Sequence, residues 1–198
     1  MSQQRSYHFN LAPMVLAAAF LTGGVATAED AKPAAESGVK GEILTWIVDA
    51  QDKLTQLAEA IPEDKYSWSP NKDVRTVADV FMHVSAANYG IPSFIGVPAP
   101  AGFDFGTYEK SLTKKSDIMK SLKDSFAHME AALKGMSEED MNKPAEFFGL
   151  KTTKRGAFLL LLSHAHEHLG QQIAYARSLK VTPPWSGPPA ADTKPAKK

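Results

Sequence analysis

The sequence predicts an all-α protein, a four-helix bundle. Three observations point to it. Between residues 38 and 180, apolar side chains recur at three- and four-residue steps in four separate stretches. No segment sustains the period-two alternation of β-branched residues that a half-buried strand needs, so a sheet is not expected. The stretches are each roughly 20 residues long, which gives helices of about 30 Å, a length suited to a bundle.

The N-terminal 28 residues stand apart from these helices. Arg5 supplies a weak positive start, Leu11 to Leu21 is an apolar run interrupted only by Pro13, and Ala26-Thr27-Ala28 offers the small residues a signal peptidase accepts. The run is shorter than the roughly 20 apolar residues of a membrane span. Residues 1–28 therefore read as a cleaved secretory signal peptide, with an uncleaved anchor as the alternative. The expected location is periplasmic or secreted, with no stable membrane anchor after cleavage. Residues 29–37 read as a polar spacer. Residues 181–198, rich in Pro, Lys and Ala, read as a disordered tail.

The first helix carries Ile43, Ile47, Ala50, Leu54, Leu57 and Ile61 on one stripe, and Pro62 ends it. Thr76-x-x-Asp79 is a capping box for the second. That helix carries Val77, Val80, Val84, Ala87 and Ile91, with Phe81 beside them, and Gly90-Ile91-Pro92 bends or frays its end. Residues 96–110 form a Pro/Gly loop holding Phe103, Phe105 and Tyr108. The third helix has Ile118, Leu122, Phe126, Met129, Leu133 and Met136, and Ser137 begins a short extra turn. The fourth runs from about Thr153 to Leu179 and is strongly apolar from Phe158 to Leu162.

Composition narrows the function. The chain has 22 basic and 22 acidic residues and a formal net charge of zero. That balance argues against non-specific nucleic-acid binding and against a polybasic membrane-surface protein. The absence of cysteine excludes disulfides, thiolate metal sites and a cysteine nucleophile. Histidine remains as the residue that can carry metal chemistry.

His164 and His168 are four residues apart, so they share a helix face one turn apart with Leu161, Gln171 and Tyr175. Two imidazoles so placed can hold one cation. His83 follows Val80 by three residues and leans toward the core face of the second helix, which makes it the best third ligand. Three inward imidazoles without a metal would need a hydrogen-bond network of their own, and that alternative stays open. His166 lies about 200° from His164 and reads as solvated, and His128 reads as a flank residue of the third helix. His164 to His168 also spells the inverted zinc-protease pattern with Glu167 as base. A peptidase of that kind takes a further ligand from a downstream glutamate, and the only acid after His168 is Asp192 in the tail.

Three further stretches carry a resemblance. Ala60-Ile61-Pro62-Glu63-Asp64 followed by Tyr66-Ser67-Trp68-Ser69-Pro70, then Thr76 through His83, then His164-x-x-x-His168-x-Gly170-Gln171, resemble the DinB family, the DinB/YfiT-like metalloenzymes. The resemblance covers about residues 38–180. It implies an up-down-down-up bundle holding one divalent metal, zinc or nickel, through His83, His164 and His168. One departure is Leu169, where many members carry arginine.

The resemblance also implies a metal-dependent hydrolase or a thiol-dependent transferase acting on a small molecule. Glu167 or His166, next to the metal ligands in sequence, is the candidate base. Export favours hydrolysis, because low-molecular-weight thiols are mainly cytosolic. A non-catalytic secreted bundle with a structural metal or a bound small ligand is the alternative. A homodimer is consistent with the family.

Overall fold

The computed structural model describes residues 38–187. The expected signal peptide, the spacer at 29–37 and residues 188–198 lie outside the described residues.

α1 spans Gly38–Ala60 and buries Ile43, Ile47, Ala50, Leu54 and Leu57, the stripe read from the sequence. Pro62 then opens a 3-10 turn over Glu63–Lys65. α2 spans Val77–Gly90 and starts on the expected capping box, with the Thr76 side chain accepting from the Asp79 amide and the Asp79 carboxylate accepting from the Thr76 amide. Pro92 turns the end of α2 into a 3-10 segment, Ile91–Ile95, which Gly96 closes in the left-handed region at φ 92°. Within the predicted loop, Asp104 caps a single turn of helix, α3, Phe105–Tyr108. α4 spans Lys115–Gly135, and Ser137 caps the short α5, Glu138–Met141. α6 spans Lys154–Ser178, capped by Thr153.

The long helices close a ring. α4 packs between α1 and α2, and α6 packs between them on the other side. Cross-links give the directions. Lys115, at the start of α4, donates to the carbonyls of Glu59 and Ile61 at the end of α1, and Lys40 reaches the Lys134 carbonyl at the opposite end, so α1 and α4 are antiparallel. Gln172 near the end of α6 donates to the Val77 carbonyl at the start of α2, and His164 meets His83 further along, so α2 and α6 are also antiparallel. Lys110, just before α4, pairs with Asp79 at the start of α2, and Asn88 meets Ser125 farther along both helices. α2 and α4 are therefore parallel neighbours. This is the up-down-down-up bundle, and residues 91–114 are the crossover it requires.

The core is the meeting of the four stripes. Phe81, Phe126, Phe158, Leu54 and Leu122 are among its fully buried side chains. Leu159 breaks the expected apolar run of α6 and is exposed.

Two expectations are corrected. A β-hairpin, β1 Pro144–Phe147 with β2 Leu150–Thr153, stands between α5 and α6. Its four-residue strands are too short to display a period, and its turn is Phe148-Gly149 in place of the usual Asn-Gly. Both turn residues take positive φ, 52° and 76°, as a two-residue I′ turn demands. Residues 181–187, read as the start of a disordered tail, are also ordered. The Val181 amide donates to the Ala176 carbonyl, Pro183 is buried, and Pro184–Ser186 forms a 3-10 turn against α1.

Candidate metal centre

The antiparallel pairing of α2 and α6 brings His83 opposite His164 and His168. The spacing on α6 keeps the latter two on one face, with ring centres 4.4 Å apart. The His83 ring centre lies 4.9 Å from that of His164 and 4.8 Å from that of His168. One ring nitrogen from each lies within 4.8 Å of the others, and among the described residues this is the one group of three or more His, Cys, Asp or Glu side chains placed to share an ion. His168 is buried, and His83 and His164 are half-buried.

The protonation of two rings follows from their partners. His83 Nδ1 lies 3.0 Å from Glu109 Oε2. Burial opposes ionisation of Glu109, but the hydrogen bond and charge of Arg75, then those of His83, outweigh it and hold the carboxyl below its ordinary value. A carboxylate accepts only, so His83 Nδ1 carries the proton and Nε2 presents a lone pair.

For His168 a chain of donors gives the same answer. The Tyr175 hydroxyl donates to the Arg75 carbonyl at 3.1 Å, so its oxygen accepts from Gln171 Nε2 at 2.9 Å. Gln171 then turns Oε1 toward His168 Nδ1 at 2.8 Å, and that nitrogen donates. His168 Nε2 is left as a lone pair as well.

His164 differs. Its Nε2 lies 3.1 Å from His83 Nε2, and its Nδ1 is buried with no hydrogen-bond partner. Burial above all, then the neighbouring His168, His83 and Arg75, pushes its pKa down to about 3. His83 is lowered too, by burial first and then by Arg75 and His168, against the opposing pull of Glu109. Both rings are neutral at neutral pH, the form in which imidazole ligates a metal.

These residues fit a metal ion. Two imidazole nitrogens on one tetrahedral zinc, each at about 2.0–2.1 Å, sit about 3.3 Å apart, close to the 3.1 Å between the two Nε2 atoms. An all-imidazole donor set suits zinc and nickel and does not choose between them.

The other expected residues lie elsewhere. Glu167 is exposed and stands outside the cluster, so its placement lends no support to a role as base. His166 donates from Nδ1 to the Leu162 carbonyl. His128 lies edge-on to Tyr89, and burial lowers its pKa. Leu169 is buried in the core. Phe103 and Phe105 of the 96–110 loop line an apolar cavity of about 260 Å³ with Gly90, Phe94 and Phe148. Sequence reasoning missed Glu109, Arg75 and the relay role of Gln171 and Tyr175. Gln171 and Tyr175 were visible on the histidine face. Glu109 sits in a loop without periodicity, 26 residues from His83, and nothing in its neighbours announces the contact.

The profile of the DinB superfamily matches residues 47–172. Comparison with curated proteins gives no significant match. Among solved structures, a DinB-like protein from Bacillus cereus superposes with a TM-score of 0.64 at 18% identity, covering 74% of this chain and 95% of that one. YfiT from Bacillus subtilis, described as a probable metal-dependent hydrolase with an unusual four-helix bundle topology, gives 0.59 at 16% identity, covering 76% and 94%. A mycothiol-dependent maleylpyruvate isomerase gives 0.55 at 12% identity, covering 66% of this chain and 59% of its own. At these identities the likeness establishes the fold.

Proposed function

This chain belongs to the DinB superfamily, and from that premise we propose that it is an exported metal-dependent hydrolase of small molecules. It binds one divalent cation, zinc or nickel, through His83, His164 and His168. The observation that carries the reading is the three-imidazole cluster itself, in which the Nδ1 hydrogen bonds of His83 and His168 leave the Nε2 lone pair of each ring free. A divalent ion held by three histidines keeps open positions and supplies Lewis acidity, which acidifies a water or polarises a carbonyl. The protein's own part is to hold the rings in place. The helices α2 and α6 carry the rings, and the Glu109 carboxylate and Gln171 amide hydrogen-bonded to His83 and His168 orient them.

Hydrolysis is preferred to thiol transfer for two reasons. The chain has no cysteine, so any thiol would come from outside. The signal-peptide reading of residues 1–28 also puts the mature protein in the periplasm or medium, away from cytosolic thiols.

The test is metal analysis of protein purified without a histidine tag, followed by panels of esters and amides. About one ion per chain is expected in the wild type and less than about 0.2 in His83→Ala, with hydrolysis lost in parallel. Wild-type protein that stays metal-free in excess zinc or nickel overturns the metal reading. Full occupancy without turnover of any substrate, or turnover that His83→Ala leaves unchanged, overturns the hydrolase reading.

A further inference from the structure

We propose that Glu109, clamped by Arg75, is a positioning residue of the metal centre: it fixes the His83 tautomer that presents Nε2 and braces that ring from the crossover. The inference rests on the three-histidine metal reading and extends it to a residue outside the cluster.

The carboxylate is used on both oxygens. Oε1 accepts from Arg75 Nε at 2.7 Å, and Oε2 accepts from His83 Nδ1 at 3.0 Å. Glu109 and His83 are each only about one-fifth exposed, so the bond between them is partly sheltered from competing water, whereas the Arg75 side of the carboxylate is open to solvent. A neutral imidazole has one proton, and the commoner choice places it on Nε2, which would block that nitrogen as a ligand. A carboxylate at Nδ1 reverses the preference, orients the ring and makes Nε2 a better donor.

Arg75 does more than hold Glu109. Its backbone carbonyl is the last acceptor of the Tyr175–Gln171–His168 chain. One residue therefore anchors both ligand supports, through its side chain to His83 and through its backbone to His168. His164 has neither support.

The delivery of Glu109 is also built. It follows α3 directly, and α3 is pinned to α2 on both sides of it. The Phe105 ring lies against Gly90, where an added Cβ would stand 2.2 Å from Cδ2. Lys110 pairs with Asp79 at 2.6 Å. A simpler reading is that the Glu109 ion pair only fastens the crossover. Lys110 supplies the control, because it fastens the same segment without touching an imidazole and is itself largely exposed.

The experiment uses the full mature chain. Zinc affinity is measured by chelator competition, and the tautomer of His83 is read from long-range imidazole ¹H–¹⁵N spectra of zinc-free protein. Wild type should show His83 protonated on Nδ1. Glu109→Met, similar in length but without an acceptor, should shift His83 to the Nε2–H form and weaken zinc binding by about 10–100-fold. Glu109→Gln, which restores an acceptor, should recover part of both. Lys110→Met should leave both unchanged.

Unchanged zinc affinity and tautomer in Glu109→Met overturn the inference alone, as does a loss in Lys110→Met equal to that in Glu109→Met. A zinc-free wild type with His83 protonated on Nε2 overturns it without any variant, even if Glu109→Met does not fold. A wild type that binds no metal removes the metal reading and this inference together.

Discussion

His164 is the ring whose environment does most to make the protein sensitive to acid. It is half-buried between two other imidazoles, its Nδ1 has no partner, and its pKa is pushed down to about 3. In the unfolded chain the same group takes up a proton near pH 6.5. Between those values the unfolded state binds a proton that the folded state refuses, so the stability associated with neutral His164 is complete above about pH 6.5 and falls as pH drops toward 3. The lowered pKa of His83 adds to the same slope. For chelator-treated protein, urea melts between pH 7 and 4 should show stability declining on acidification, with one such group contributing at most about 1.4 kcal/mol per pH unit. His164→Gln should flatten that decline, and an unchanged slope in the variant would rule out His164 as its source.

At the scale of elements, the crossover is the segment whose shape is least evident from local sequence and most tied to the site. Its contact with α2 depends on a glycine in ordinary helical conformation, φ −80° and ψ −43°. Gly90 is needed for close approach, because the Phe105 ring occupies the volume where a Cβ would project. Gly90→Ala should therefore displace the half-exposed Phe105 ring and cost on the order of 1 kcal/mol, in spite of the better helix propensity of alanine. In a Phe105→Ala background the same substitution should be neutral or stabilising, since the clash is gone and only the propensity gain remains. Denaturant melts of the four proteins in this cycle check it, and additive losses would show that the two residues do not meet. The hairpin before α6 teaches a related lesson, because its φ of 52° at Phe148 belongs to the turn geometry and not to any preference of phenylalanine.

For the whole molecule, the histidines link helices that are far apart in sequence. A cation held by His83 and by His164 and His168 would tie α2 to α6 across the bundle. Binding to the folded state alone must stabilise it, by about 2.7 kcal/mol at a free metal concentration 100 times Kd. Thermal melts should rise on adding zinc or nickel and fall with chelator, and the shift should vanish in a His164→Ala, His168→Ala double variant. A shift that survives in that variant would place the bound metal elsewhere. With no cysteine in the chain, the rest of the stability falls on core packing, where Leu54 and Phe126 are fully buried. No helix among the described residues is long and apolar enough to cross a membrane.

Much of this architecture was legible in the sequence. The four stripes and the shared face of His164 and His168 follow from the local period of 3.6 residues per turn, and the capping box at Thr76 and Asp79 from a fixed three-residue spacing, which is local too. The turn between Phe147 and Leu150, the ordered stretch after Lys180 and the arm from Arg75 through Glu109 to His83 carry no such period. They arise because the bundle folds distant segments onto one another, and a hydrogen bond between residues 26 apart depends on where the backbone returns. Local sequence was enough to read the four long helices, the faces they bury and the placing of His164 and His168 on one face. Which ring nitrogens are left to face one another was settled by folding alone, because it depends on the partners that the crossover brings behind His83 and the end of α6 brings behind His168.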